Sequence, residues 1–265
     1  TRSSSVTGVQ TCALPISLHL VSAFAAGLGV VLGQKATEEK SNEITAIPEL
    51  LKTLALQGTI VTIDAMGTQT KIAETIRRGE ADYVLCVKDN HPNLLDSIMF
   101  AGLGPEGALQ PCSTDEVTAT KPNHGRLEVR RCWAYDAVDR LYKHEQWKDI
   151  RSFAIIERER TQDGRTSIER AYYISSLPAD AARLARAVRS HWEVENRLHW
   201  CLDVQLADDQ SRTRSGFAAN NLAIVRHIVM NLLRLNTTSK VGIKNKRLMA
   251  SASDEFRAEV LGFMT

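Results

Sequence analysis

The sequence lacks the marks of a membrane protein, a disulfide scaffold and a nucleotide-binding fold. No apolar stretch reaches the ~18–20 residues that a membrane span requires. The nearest, LHLVSAFAAGLGVVL at 18–32, holds His19 and Ser22 and is broken by glycines and small residues, so two short strands are expected there. A secretory signal fits poorly, because only Arg2 supplies a basic start. The five cysteines (Cys12, Cys86, Cys112, Cys132, Cys201) are odd in number and scattered, with no CxxC pair. That argues against a zinc ribbon and a disulfide framework, and for reduced thiols in a cytoplasm. No GxGxxG follows a first strand and no GxxxxGK[ST] occurs, which removes the Rossmann and P-loop readings. Charge of one sign is also missing: 33 Lys/Arg stand against 31 Asp/Glu, so the total barely favours an acidic partner.

What is present is ordinary globular material. The 265 residues are 43% hydrophobic and 24% charged, enough for one large core or two modest domains. Charge is unevenly placed. Arg226 to Arg247 holds six Lys/Arg and no Asp/Glu, readable as a solvated tail or as a phosphate-binding surface. Residues 1–16, TRSSSVTGVQTCALPI, are Ser/Thr-rich, follow no clear period and contain no Asp or Glu. They resemble translated sequencing-adapter read-through and are set aside as a foreign or disordered leader. The chain proper is expected to enter at about Ser17, already inside a domain.

Past the leader the pattern alternates between strand and helix periods. LHLVSAFA and GVVLGQKA read as strands around Gly27–Gly29. SNEITAIPELLKTLAL reads as a helix capped by Ser41 or Asn42, with Pro48 breaking its first turn. GTIVTIDAM is a strand, and TQTKIAETIRRG a helix ending at Gly79. ADYVLCVKDN is a strand, and HPNLLDSIMF opens a helix at Pro92. This order implies a parallel sheet covered by helices. Residues 101–122 read as loop. GRLEVRRCWAYDA, RSFAIIERERT and GRTSIERAYYISSL then alternate in the β manner, with a short amphipathic piece near LYKHEQW. After Pro178, DAARLARAVRSHWEVENRLHWCLDV is a long helical stretch. GFAANNLAIVRHIVMNLLRL is a second helix, with an apolar stripe through Leu222, Val225, Ile228, Val229, Leu232 and Leu233.

Two places invite chemistry. Asp64 ends the apolar run IVTI, at the strand edge where α/β sheets bind ligands. It is either a metal or ribose ligand, or a turn-forming Asp that caps the next helix. Lys88, Asp89 and Asn90 end the neighbouring strand, where they either line the same edge or form the turn before Pro92. In RSHWEVENRLHW, His191, Glu195 and His199 recur every fourth residue and would share a helix face. A zinc site is one reading, although the spacing is not HExxH. A hydrogen-bonded polar face is another. A catalytic Glu that offers oxygen to Mg²⁺, flanked by His and Arg on phosphates, is the third. In HGRLEVRR, a strand would put His124, Arg126, Glu128 and Arg130 on one face, either paired or against DNA.

KSNEITAIPELL, IDAMG, DYVLCVKDN, HGRLEVRR and HWEVENRLHWCLDV, in this order, resemble bacterial insertion-sequence transposases of the DDE type, in the H-repeat-associated branch. The resemblance runs from about Leu18 to near the C-terminus. It implies an α/β, RNase H-like mixed sheet flanked by helices, with a β-rich insertion before the C-terminal catalytic helix and three acids meeting at one edge. Asp64 matches the second acid and Glu195 the glutamate of the signature helix, both as metal ligands. Glu193 falls where the family varies, and His191 where relatives often carry Arg. The first acid belongs to a strand just before LHLVSAF, which here falls in the acid-free residues 1–16, so the chain reads as N-terminally truncated. The implied cofactors are two Mg²⁺ (or Mn²⁺) ions.

The implied partner is double-stranded DNA, both transposon ends and target, held by a homodimer. Lys88, Asn90, His124, Arg126, Arg189 and His191 are the expected DNA-binding residues. The implied activity is metal-dependent strand cleavage and strand transfer, in a bacterial, nucleoid-associated cytoplasmic protein. With one acid missing, this chain is expected to be an inactive fragment. The alternatives are a non-catalytic DNA-binding remnant or domesticated protein, and a small-molecule α/β domain with an enclosed apolar pocket. The expected organisation is a leader (1–16), a first RNase H-like part (17–100), a β-rich insertion with returning strands (101–177), C-terminal helices bearing Glu195 (178–236) and a basic tail (237–265).

Overall fold

A computed structural model describes residues 6–13, 19–37, 43–103, 109–118, 126–213 and 217–263. They form two compact units, one built on Ala55–His191 and the other on Thr7–Leu54 with Trp192–Thr265.

In the first unit, strands β4 (Ile60–Ile63), β5 (Asp82–Val87), β6 (Ser113–Thr118), β7 (Arg126–Tyr135), β8 (Ser152–Gln162) and β9 (Arg165–Ser175) lie in the order β4-β5-β9-β8-β7-β6. β4 and β5 are parallel and the remaining pairs antiparallel. All four residues of β4 are buried, as a continuous apolar run predicts for a strand covered on both faces. Two helices follow β4 and β5: α2 (Thr70–Arg78) and α3 (Pro92–Leu103). On the other side of the sheet, α4 (Ala181–Val194) covers Ile60, Val84, Cys86, Cys132, Ala134, Ala154 and Tyr173 with Ala181, Leu184, Ala187 and Val188. The β-rich segment is no separate layer. Its last strand, β9, pairs with β5 and extends the same sheet.

The second unit carries a meander of β1 (Val6–Ala13), β2 (His19–Ala25) and β3 (Val30–Thr37), with helix α1 (Glu43–Lys52). Helices α5 (Trp200–Leu206), α6 (Ala218–Leu235), α7 (Ile243–Ala252) and α8 (Asp254–Val260) complete it. Its core joins Phe24, Ala26 and Val31 to Val194, Leu198, Cys201, Leu202 and Met230. The Asn231 amide on α6 binds both the N–H and the C=O of Val31, each at 2.8 Å, in the way a strand partner would. A mixed sheet flanked by helices, with the strand-rich stretch before the C-terminal helices, is the RNase H-like α/β fold.

Several expectations need correction. Residues 6–13 are not disordered: they pair with β2 from Thr7↔Ala25 to Ala13↔His19, which their Val and Thr content suits. Residues 113–118 form β6, because β7 supplies a ladder that a polar sequence does not advertise. α1 runs through Pro48, which removes one backbone donor without ending the helix. α2 does end at Gly79, which is its C-cap, but the left-handed residue is Glu80, with φ 55°. Gly79 packs closely instead: a Cβ there would lie 3.1 Å from Leu56 Cδ1. On α6 the buried line is Ala223, His227, Met230 and Leu233, while Val225 and Ile228 face solvent. The basic run is largely bound to the fold. Arg226 pairs with Asp208 at 2.6 Å, Lys246 is buried against Leu233 O at 3.1 Å, and Arg234 and Arg247 reach the carbonyls of Gly29 and Gln205. Lys240 and Lys244 are exposed.

Candidate functional site

Asp64 stands one residue beyond β4, at the start of a short 3₁₀ turn, Ala65–Gly67. Its side chain makes no capping hydrogen bond deeper in that turn and within it meets only the adjoining Ala65 N–H. The carboxylate turns instead to Lys88, just past β5, and Nζ donates to Oδ1 at 3.1 Å. Parallel pairing explains the meeting. Ile63 lies opposite Leu85, so the residues beyond the two strand ends emerge side by side. Partial burial works to raise the Asp64 carboxyl, but the Ala65 backbone N–H, the Lys88 ammonium and the His191 ring outweigh it and hold the group below the usual carboxylate range.

The loop after β5 is fastened to the turn after β4. Asn90 Nδ2 donates to Ala65 O at 2.7 Å, His91 Nε2 donates to Thr68 O at 2.6 Å, and the Thr68 hydroxyl donates to Cys86 O at 2.5 Å. The His91 ring also meets Trp147 edge-on, with centroids 5.5 Å apart. From α4, His191 brings Nδ1 to 3.1 Å from the Thr62 hydroxyl. Burial pushes the His191 pKa down against the pull of Asp64, so the ring is neutral at pH 7. Beneath the site, burial raises the Cys86 thiol to about 11 and the Tyr173 phenol well above its usual value.

Asp64, Lys88, Asn90 and His191 are therefore gathered at one sheet edge. Arg189 belongs to the same unit, about two helical turns along α4 from its start. His124 lies outside the described residues, and Arg126 begins β7 opposite Gln162. Sequence reasoning missed Thr62, Thr68, His91, Cys86 and Tyr173. For Thr62 the alternation of β4 was a usable signal, because it puts Thr62 on the face that α4 covers.

Glu195 lies in the second unit, exposed, at the start of a π turn, Glu195–His199. Val194 and Leu198 of the same segment are buried in that unit's core. The π turn breaks the every-fourth-residue face assumed for His191, Glu195 and His199, because it lengthens the turn between Glu195 and His199. His199 has both ring nitrogens buried without partners. Glu193 pairs with Arg197 at 2.8 Å, and Arg197 also reaches Ala26 O at 3.2 Å.

The donor set does not fit the two-ion centre that the resemblance implies. Among the described residues no group of three or more His, Cys, Asp or Glu side chains could hold a metal ion, and the charged neighbour of Asp64 is an ammonium.

Comparison with known proteins bears on the same segments. The family profile described as the transposase DDE domain matches residues 9–232. The chain belongs to this family. Within the DDE transposases it falls in the H-repeat-associated branch. It is 37% identical over 252 residues to YhhI of Escherichia coli strain K12, a candidate transposase associated with the H repeat. It is 37% identical over 252 residues to YbfL of the same strain and 39% identical over 249 residues to YncI, a candidate transposase of Escherichia coli O157:H7. Each match covers 92% of this chain but 63% to 66% of the relative, so the chain spans just under two thirds of their length. Among solved structures, the piggyBac transposase in a synaptic complex with hairpin DNA matches with a TM-score of 0.53 and 9% identity, over 98% of this chain and 54% of that one. That likeness is one of fold. Among the described residues no helix is long and apolar enough to cross a membrane.

Proposed function

We propose that this DDE transposase chain binds double-stranded DNA without cutting it. The observation that carries the reading lies in β1. The strand that leads into β2, where the family has its first acid, reads VTGVQTCA and holds no carboxylate. In this reading Asp64 is the second acid and Glu195 the acid of the signature helix, on the strength of the motifs around them. In an intact family member, a pair of Mg²⁺ or Mn²⁺ ions would supply a nucleophilic hydroxide and stabilise the leaving oxyanion. Among the described residues no donor group could hold such a pair. What remains is binding: Lys88 offers an ammonium and neutral His191 a ring at the same edge, both suited to phosphate oxygens. The intact enzyme would work as a homodimer on two transposon ends and a target.

The test is direct. The purified chain is mixed with labelled transposon-end duplex in Mg²⁺ and assayed for binding and nicking. Salt-sensitive binding without nicking is expected. Cleavage that disappears in Asp64→Ala would overturn the reading.

A domesticated DNA-binding remnant is the second reading, favoured by the Asp64–Lys88 ion pair, which leaves the carboxylate neutralised by the protein itself. A first acid in the full-length gene would exclude it.

A further inference from the structure

The outer part of the first unit's sheet sorts its charges by face. Directly paired residues of antiparallel strands point to the same side. The even positions of β7 and β8 and the odd positions of β9 therefore share one face. Its inner half is the apolar surface beneath α4. Its outer half presents Arg130, Arg158, Arg160 and Arg165, and α4 brings Arg189 within electrostatic reach of Arg130. Against these five arginines stand Asp115, Glu128 and Glu169.

The opposite face is balanced the other way and is closed. Arg131 and Arg170 meet Glu116, Glu157 and Glu159. Arg131 reaches all three at 2.9, 3.1 and 2.8 Å, and Arg170 reaches Glu157 at 2.9 Å. An ion-pair ladder that satisfies every member asks for no partner. On the α4 side the cations crowd instead: Arg130 lies among the guanidiniums of Arg158 and Arg189. Arg158 and Arg130 have one carboxylate each, Glu169 and Glu128. Arg160 and Arg165 have no carboxylate among the described residues, and Arg160 Nε is buried without an acceptor. They line a groove of about 510 Å³ at the β8–β9 turn with Gln162, Asp163, Thr166 and Ser167, and Asp163, the groove's one carboxylate, makes no ion pair with either arginine among the described residues.

Holding like charges together and burying a guanidinium N–H unpaired both cost stability. An anion with several oxygens removes both costs. The cations span two adjacent strand pairs and a helix, which suits a chain of phosphates better than one small anion. The line also leads to the site, since Glu169 lies within electrostatic reach of Lys88, the partner of Asp64. We propose that this face is the track for the backbone of duplex DNA, running from the β8–β9 turn past Arg160, Arg158, Arg130 and Arg189 towards the Asp64 edge. It rests on the DNA-binding reading above and adds where the duplex lies. Such contacts fix register without reading sequence.

The experiment measures binding of a labelled mixed-sequence duplex to the purified chain by anisotropy across a salt series. Arg160→Ala/Arg165→Ala is expected to weaken binding at least tenfold at low salt. It should also flatten the log K against log salt slope by about 1.8, at ~0.9 per phosphate contact. Arg160→Lys/Arg165→Lys should keep most of the slope, and Lys240→Ala/Lys244→Ala in the second unit should leave it unchanged. Far-UV circular dichroism checks that each variant folds. Wild-type binding by the folded double-alanine variant overturns the track and leaves the DNA reading standing. An equal loss in the Lys240/Lys244 pair, or tighter binding of single-stranded RNA than of duplex, also overturns the track. No binding of any duplex by the wild-type chain overturns both.

Discussion

Acidification should destabilise this protein through one buried histidine in particular. His227 lies on the buried line of α6, 7% exposed, with Nδ1 unpaired. Burial pushes its pKa down from 6.5 to about 4, and the nearby ring of His199 adds to the effect. The gap corresponds to roughly 3 kcal/mol between protonating the ring in the unfolded chain and in the folded one. The sign follows from the depressed value. The contribution is present in full above 6.5, declines as the unfolded chain takes up its proton, and is lost as the pH falls through about 4. Roughly 2.5 kcal/mol should be gone by pH 4.5. His199, also lowered by burial, acts in the same direction. Asp208 acts in the opposite direction, because burial raises its carboxyl despite the Arg226 partner. Comparison with His227→Leu, similar in volume and never charged, removes these shared contributions. Urea unfolding at pH 7.5, 5.5 and 4.5 should show the wild type losing about 2.5 kcal/mol more than the variant over that range. Equal losses in the two proteins, or a His227 ring resonance titrating near 6.5, would refute the reasoning.

Three further outcomes are expected. Lys88→Gln should raise the Asp64 pKa in a carboxyl titration by NMR. Both side chains are more than half exposed, so stability should change by less than ~1 kcal/mol, and an unmoved titration would show that Lys88 does not hold the carboxylate. The stability that Asp64 does contribute is present above its ordinary 3.8 and is lost as pH falls through its lower folded value. Gly102→Ala should destabilise by about 1–3 kcal/mol in urea unfolding, because the new methyl would lie 2.3 Å from the Cδ1 of fully buried Ile155; a stabilised variant would contradict the packing. Gly29→Ala should cost about 1–2 kcal/mol, since Gly29 has φ +73° and its Cβ would fall 2.7 Å from Arg197 Nη2; an unchanged melting temperature would contradict it.

Much of the fold was legible where the pattern was strong and local. The apolar run of β4 and the alternation of β7, β8 and β9 announced strands at nearly their observed limits. Pro92 opens α3 as its missing donor allows. Legibility failed where a partner made the element. STDEVT is a strand only because β7 lies beside it, and residues 6–13 are one only beside β2. α6 failed for another reason. It is apolar on more than one side, so periodicity fits several stripes, and the buried one contains a histidine and ends beside an asparagine that binds β3. The basic run misled because a charge count is blind to the carbonyls and the one carboxylate that take up most of its cations.

By itself the sequence determined the order of the elements from β2 to α3 and from β7 to α4, the position of Asp64 at a strand end and the absence of a carboxylate from residues 1–16. These are properties of neighbours along the chain, carried by side-chain period and residue identity. The tertiary structure decided what Asp64 meets: Lys88, 24 residues on, and the ring of His191, held by Thr62 across 129 residues. It also decided that arginines gather on one face of β7–β9 while the other closes its ion pairs. Strand register sets which side chains stand opposite each other, and register is fixed by hydrogen bonds between segments far apart in the chain.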